Sequence, residues 1–116
     1  MTTPENASVA GCPDCAEQVV TNAPNDVVAF YRCHHAVTGH DVAWERSPDT
    51  ADVPATAELT DTTDRLATDT GGAPLCAVSA AMSRRGWTVG ETLSAVHDHR
   101  LAGELWEPRD DHVGVV

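Results

Sequence analysis

Cysteine and histidine residues concentrate near the beginning of this 116-residue chain, in a pattern that could hold a metal ion. Cys12 and Cys15 form a C-x-x-C pair within GCPDC, and Cys33 ends the later run AFYRC. Thiolates are preferred ligands of structural zinc, and a C-x-x-C turn supplies two of them with backbone amides close by. The sequence therefore predicts a structural Zn²⁺ ion bound by Cys12, Cys15 and Cys33.

A tetrahedral site needs a fourth ligand, and histidines follow Cys33 in the stretch CHHAVTGH. His35 lies near Cys33 and has a side chain long enough to turn inward. His40 follows Gly39 in what we expect to be a hairpin loop. We favour His40 as the fourth ligand, with His35 as the alternative.

Two other uses of the cysteines have less support. Disulfides are disfavoured in a reducing cytosol, and a redox role for Cys12 and Cys15 lacks the βαβ context of a thioredoxin-like unit. Cys76 stands on a predicted helix and is expected to pack as a small apolar side chain. Metal binding thus remains the interpretation of the C-x-x-C pair.

Short strands are predicted around these ligands. Residues 27–33 (VVAFYRC) are rich in β-branched and aromatic side chains, and residues 40–45 (HDVAWE) alternate in the same manner. We expect these two runs to pair as a hairpin. Residues 17–20 (EQVV) would precede them, separated by a turn at Asn-Ala-Pro-Asn.

The segments GCPDC, FYRC and GHDVAW resemble the zinc ribbons, small β-domains found in archaeal transcription and replication factors. The resemblance implies a three-stranded zinc ribbon over residues 8–46. Thr38 stands where such ribbons usually carry their last cysteine.

The remainder of the chain has helical periodicity and then a hairpin. Residues 55–68 and 74–86 predict two helices, and a third begins at Thr88, which forms a T-x-x-E capping box with Glu91. After Gly103 the alternation in ELWEP and VGVV, around the turn RDDH, predicts a β-hairpin.

This order, with the stretch GELWEPRDDHVGVV, resembles the C-terminal winged helix of archaeal minichromosome-maintenance helicases. The resemblance implies a winged helix-turn-helix over residues 54–116, joined to the ribbon by an acidic linker at 47–53. The chain as a whole thus resembles a haloarchaeal zinc-ribbon protein fused to a winged helix, of fold class α+β.

A winged helix can place its third helix in the major groove of double-stranded DNA and its wing on the backbone. Hydroxyl groups on that helix could read bases, and nearby arginines could meet phosphates. The candidate DNA-binding residues are Arg84, Arg85, Thr88, Thr92, Arg100 and Arg109.

Charge does not decide the partner. The net charge is −11, all the basic residues are arginines, and this composition resembles that of proteins from salt-loving archaea. In molar salt, screening weakens repulsion between an acidic protein and DNA. We also find no apolar stretch of the roughly 20 residues that a membrane span needs, and we expect a cytoplasmic protein.

No nucleophile–base pair, phosphate loop or open catalytic metal site is visible, so we expect no enzyme and no small-molecule substrate. The sequence favours a DNA-associated protein, either a transcription regulator or a replication accessory factor. The alternative is an adaptor in which ribbon and winged helix bind protein partners, such as a transcription or replication protein.

Overall fold

A computed structural model of the chain describes residues 7–47, 53–54, 56–67 and 71–116. These residues form a mixed α+β fold with two three-stranded sheets and four helices. In chain order the elements are β1 (Ser8–Gly11), β2 (Gln18–Thr21), α1 (Asn25–Thr38), β3 (Ala43–Arg46), α2 (Leu59–Leu66), β4 (Ala73–Pro74), α3 (Leu75–Ser83), α4 (Val89–Leu101), β5 (Leu105–Arg109) and β6 (His112–Val115). None of the described helices has the length and apolar character needed to cross a bilayer.

The first sheet contains three antiparallel strands, as the sequence predicted. Strands β2 and β3 overlap the strands expected at 17–20 and 40–45, whereas β1 takes the place of the strand expected at 27–33. The order in this sheet is β2-β1-β3, with Ser8 opposite Thr21 and Ala10 opposite Trp44. The central strand β1 precedes the C-x-x-C pair. The ribbon hairpin predicted from residues 27–33 and 40–45 is absent from this sheet.

Residues 27–33 are helical, and the prediction of a strand there was wrong. Val27 and Val28 are adjacent and both fully buried, yet consecutive residues of a strand point to opposite faces. Both side chains are buried because helix α1 lies between two apolar clusters, with Val27 in one and Val28 in the other. The helix ends at Gly39, whose φ of 77° is favourable for glycine in a helix C-cap.

The predicted helices and hairpin of the second half are confirmed. Helices α2, α3 and α4 precede the β5–β6 hairpin, and the short strand β4 pairs with β6 to give the sheet order β4-β6-β5. Thr88 caps α4 as expected: its hydroxyl accepts a hydrogen bond from the Glu91 backbone N–H, and the Glu91 side chain accepts one from the Thr88 N–H.

The two halves share buried side chains. One apolar cluster combines Ala10, Val27 and Val42 from the first half with Val89 from the second. Most of the expected linker lies outside the described residues, but Val53 is 2% exposed and packs with Ala57 and Ala81. The segments 8–46 and 54–116 are therefore packed against each other through a common core.

An ion pair also joins the halves. The Arg32 guanidinium on α1 donates two hydrogen bonds to the Asp111 carboxylate at the β5–β6 turn, at 3.0 and 2.7 Å. These hydrogen bonds, and the charge of Arg32, lower the pKa of Asp111. The Asp111 backbone carbonyl accepts a hydrogen bond from the Leu75 N–H at 2.8 Å, so the turn contacts both α1 and α3.

We predict that Asp111→Asn lowers the free energy of unfolding by about 0.5–1 kcal/mol at neutral pH, because this pair is partly exposed to solvent. Asparagine tolerates the positive φ of 55° at this position, so backbone strain should not contribute. Since the folded-state pKa of Asp111 is below 3.8, its contribution should persist above pH 3.8 and disappear as the pH falls through the folded-state pKa.

Urea unfolding of Asp111→Asn at several pH values measures this effect, with the adjacent Asp110→Asn as control. A difference between Asp111→Asn and wild type that stays constant below the folded-state pKa of Asp111 would contradict the role of this ion pair.

Candidate functional site

Two cysteines and two histidines of the first half lie close together. Ligand atoms of Cys12, Cys15, His34 and His40 all lie within 4.8 Å of one another, and these four residues could bind a metal ion. Both cysteines lie in the β1–β2 connection, His34 in helix α1 and His40 in the loop after α1. The site thus combines three separate segments of the first half.

The distances between these ligand atoms suit a tetrahedral ion. Cys12 Sγ lies 3.4 Å from His40 Nδ1, and Cys15 Sγ lies 3.5 Å from His34 Nε2. Zinc bonds of about 2.3 Å to sulfur and about 2.0–2.1 Å to nitrogen, at tetrahedral angles, place sulfur and nitrogen about 3.5 Å apart. The donor set is therefore compatible with zinc in both chemistry and spacing.

Thr38 positions the two histidines. Its hydroxyl donates a hydrogen bond to the His34 carbonyl at 2.7 Å and accepts one from the His40 N–H at 3.1 Å. Between them, Gly39 reverses the chain at the end of α1. The residue at the place of the expected final ribbon cysteine thus orients a neighbouring ligand candidate.

Packing fixes the ring of His34. His34 is only 8% exposed, stacks on Phe30 with ring centroids 5.4 Å apart, and meets the His40 ring edge-on at 5.4 Å. A buried imidazole needs polar partners for its ring nitrogens, and Cys15 provides one. Cys12 is buried as well, and its sulfur accepts a hydrogen bond from the Asp14 N–H at 3.3 Å.

The electrostatics of Cys15 favour the thiol when no cation is near. A hydrogen bond from the Glu17 backbone lowers the pKa of Cys15, but partial desolvation and the neighbouring Cys12 and Glu17 side chains outweigh it and raise the pKa overall. A bound metal cation deprotonates coordinating thiols and would reverse this balance.

The structure brings three of the expected ligands together and puts His34, not Cys33, beside them. Cys33 is exposed, because successive residues of a helix are rotated by about 100° around its axis. His35, the alternative fourth ligand, is also outside the cluster, and its Nδ1 donates a hydrogen bond to the His40 carbonyl at 3.2 Å. Phe30 and His34 are four residues apart, which puts them on the same face of a helix. This spacing could have identified His34 as a candidate ligand, but the interpretation of residues 27–33 as a strand concealed it.

The residue after His40 connects the metal site to the second half. Asp41 accepts hydrogen bonds from the Thr88 hydroxyl at 2.5 Å and from the Gly90 N–H at 2.8 Å, at the first turn of α4. Next to it, the Val42 carbonyl accepts a hydrogen bond from the Val89 N–H at 2.8 Å. A carboxylate at this position is favourable because the N-terminus of a helix carries partial positive charge. We call these contacts the Asp41 clasp.

Gly90 makes the Asp41 clasp sterically possible. A Cβ atom at this position would lie 2.6 Å from Asp41 Oδ1 and 2.8 Å from its Cγ. Such distances are shorter than van der Waals contact, so any larger residue would push the carboxylate off the helix. Glycine at this position therefore allows the close approach of the Asp41 carboxylate, and its backbone conformation is one that other residues also adopt.

Neither threonine expected to contact DNA is free to do so: the Thr88 hydroxyl is used in hydrogen bonds within the protein, and Thr92 is buried. Thr88 is part of the Asp41 clasp and of the capping box. Thr92 is fully buried, and its Oγ1 is the one buried side-chain oxygen or nitrogen without a hydrogen-bond partner among the described residues. Thr92 was expected to be available for contact with DNA bases, but this position faces the core and is not on the surface of α4.

The four candidate arginines lie in two groups. Arg84 donates a hydrogen bond to the Val53 carbonyl at 2.7 Å, and Arg85 donates one to the Ala57 carbonyl at 3.1 Å. These contacts attach the segment before α2 to the end of α3. The remaining two lie near the hairpin: Arg100 is 3.9 Å from Glu107, and Arg109 donates to His112 Nε2 at 3.1 Å.

Both halves of the chain are similar to described families. Residues 9–46 match the family model described as HVO_B0008 N-terminal, and residues 67–113 match the one described as HVO_B0008 C-terminal domain. The two matches occur in the order that these descriptions imply. Neither description names an activity, a ligand or a partner. No curated protein and no solved structure matches the chain.

The candidate ligand set predicts opposite effects on zinc binding for substitutions of the adjacent residues Cys33 and His34. We expect the purified Cys33→Ser variant to retain about one zinc ion per chain and the wild-type thermal stability. His34→Asn should lose the metal and unfold at a lower temperature, because it removes one of four ligands. Metal analysis and thermal unfolding measure both effects.

His35→Asn and His40→Asn form a second matched pair, with loss of zinc expected only for His40→Asn. Loss of zinc from Cys33→Ser, with retention in His34→Asn, would contradict the ligand set.

The Asp41 clasp predicts that the effect of Gly90→Ala on stability changes sign when Asp41 is removed. In the wild type, Gly90→Ala should destabilise the protein by about 1–3 kcal/mol, because the methyl group overlaps the Asp41 carboxylate. In an Asp41→Ala background the same change should stabilise it by up to about 1 kcal/mol, since alanine is the better helix former.

Urea unfolding of the four proteins in this double-mutant cycle gives both values. If Gly90→Ala had the same effect in both backgrounds, Asp41 would not be the group that requires glycine.

Proposed function

We propose that the chain is a non-enzymatic protein-binding adaptor, in which a structural zinc ion stabilises the first half and a winged-helix second half presents the binding surface. The observation that carries this proposal is the Asp41 clasp, which covers the end of α4 that a DNA-reading helix would need. Further features of the molecule support it.

The zinc would be structural because the cluster supplies four protein ligands. A catalytic zinc site keeps one position open for water or substrate, whereas four cysteine and histidine ligands complete a tetrahedron. Cys12, Cys15, His34 and His40 would hold the ion. Its chemical contribution is to cross-link the β1–β2 connection to α1 and the following loop, in a chain whose apolar content includes few aromatic residues.

The topology of the second half supports the winged-helix interpretation. Its order is α2, β4, α3, α4, then the β5–β6 hairpin, and β4 pairs with β6 across the sheet. Helices α3 and α4 would be the helix-turn-helix pair, and β5–β6 would be the wing.

Base reading by α4 is disfavoured. In helix-turn-helix proteins, the N-terminal residues of the recognition helix contact base edges. Here a carboxylate occupies the first turn, Thr92 faces the core, and Glu91 adds a further negative charge. Each of these features opposes the approach of DNA to the N-terminal half of α4.

An apolar surface near the wing supports a protein partner. Leu101 at the end of α4 is 76% exposed, and Trp106 on β5 is 52% exposed and packs across Gly114 of β6. Leu101 and Trp106 line one surface cavity, and Trp106 and Val115 line another. We call these three residues the hairpin surface. Contiguous exposed apolar groups mark interaction sites, and tryptophan is enriched among residues that dominate binding energy.

DNA association remains the second candidate, and the wing is the feature that favours it. Arg100 and Arg109 lie close to the exposed hairpin and could contact phosphates without help from α4. Binding of this kind would show no sequence preference. It would also have a shallow salt dependence, because few charges are neutralised.

Affinity capture from an extract of the source organism in molar salt tests the adaptor proposal. We expect a protein partner that survives nuclease treatment, is lost with Leu101→Ser or Trp106→Ser, and is retained with Val37→Ser. Val37 is a matched control because it is 79% exposed, lies on α1 and is not part of the hairpin surface.

A gel-shift titration with duplex DNA completes the test. Binding that Arg100→Gln and Arg109→Gln abolish, together with no nuclease-resistant partner, would overturn the adaptor in favour of DNA association.

A further inference from the structure

A groove between α1 and α4 combines aromatic walls with negative charge. Its cavity volume is about 540 Å³. We call it the α1–α4 groove; the residues that define its chemistry are Tyr31, His35, Asp41, Trp87, Glu91 and Asp98. None of these residues belongs to the hairpin surface, so the groove is a separate feature of the molecule.

The charges in the α1–α4 groove are of one sign. Asp41, Glu91 and Asp98 supply three carboxylates, and none of the arginines among the described residues lines the cavity. Burial, together with the negative charge of Asp41, raises the pKa of Tyr31. The C-terminal end of α1 at Gly39 adds partial negative charge. The N-terminus of α4 carries partial positive charge. The Asp41 carboxylate, which accepts a hydrogen bond from the Gly90 N–H, offsets that positive charge. The groove therefore suits a cation.

The aromatic rings specify which cation fits best. Tyr31 and Trp87 line the cavity and are partly exposed to it. The Tyr31 ring is stacked with His35, with centroids 5.1 Å apart and an angle of 17° between the planes. His35 Nδ1 donates a hydrogen bond to the His40 carbonyl, which holds the ring against Tyr31, and the groove carboxylates are hydrogen-bond acceptors. The groove offers flat π faces beside hydrogen-bond acceptors.

We propose that the α1–α4 groove binds the guanidinium group of an arginine side chain from a partner protein. A guanidinium is planar, stacks on aromatic rings and donates paired hydrogen bonds to carboxylates, whereas an ammonium is a compact and more strongly hydrated charge. The groove supplies Tyr31 and Trp87 for stacking, and Asp98 and Glu91 for charge. This site does not depend on which ligand the hairpin surface takes.

Titration of the intact, metal-loaded protein with small peptides, followed by NMR, tests the proposal. The probe is N-acetyl-Gly-Arg-Gly-amide, and the same peptides with citrulline or lysine at the centre are the comparisons. We expect the arginine peptide to shift the Trp87 indole signal and the backbone signals of Glu91 and Asp98. The citrulline peptide, which is neutral but similar in shape, should produce no saturable shift.

Asp98→Asn should weaken binding of the arginine peptide by about five- to tenfold, as expected for the loss of a partly exposed, charge-assisted hydrogen bond. Asp98 is exposed on α4, so this variant should fold normally. Asp110→Asn, which removes an equal charge at the hairpin turn, should leave the affinity unchanged. Trp87→Leu should also weaken binding, through the loss of stacking.

Three results would overturn the proposal. They are equal binding of the arginine and citrulline peptides, an unchanged affinity in Asp98→Asn, and lysine binding as tightly as arginine. A fourth arm uses ethylguanidinium alone. If it bound as tightly as the peptide, the groove would be a site for free guanidinium compounds and not for a partner protein. None of these results depends on whether the hairpin surface binds protein or DNA.

Discussion

The fold depends on two consecutive residues that face different halves of the molecule. His40 lies in the cluster with Cys12, Cys15 and His34, while Asp41 accepts hydrogen bonds from the first turn of α4. The halves share two apolar clusters, but apolar contacts are non-directional, so the hydrogen bonds of Asp41 help to set their relative position. A metal bound at His40 would fix the start of the loop from which Asp41 reaches α4.

The same contacts determine which surfaces remain for binding. Because Asp41 occupies the N-terminus of α4, the end of that helix that would read DNA is used for internal packing. The C-terminal end of α4 with the hairpin remains exposed, as does the groove that α4 forms with α1. The proposed protein recognition rests on three observations: four candidate zinc ligands, an α4 N-terminus occupied by Asp41, and an exposed tryptophan.

The sequence predicted the features that depend on local signals. The C-x-x-C pair, the capping box at Thr88 and the helices before the hairpin follow from spacing, cap chemistry and periodicity. Residues 27–33 were mispredicted because Val, Phe and Tyr favour strands, whereas burial on both sides of α1 overrides that preference. Because of that error, His34 was not recognised as a candidate metal ligand. The Asp41 clasp joins residues 47 and 49 positions apart, and no local pattern indicates such a contact.

X-ray absorption at the zinc edge of the purified, unmodified protein tests the central claim most directly. The account predicts one tetrahedral zinc with two sulfur ligands at about 2.3 Å and two imidazole nitrogens at about 2.0–2.1 Å. Imidazole rings also produce a characteristic outer-shell scattering pattern, which distinguishes histidine from other light ligands. A site with three sulfurs and one nitrogen would place Cys33 at the metal in place of a histidine. That result, or protein that binds no zinc, would contradict the ligand set and the link from the metal to α4.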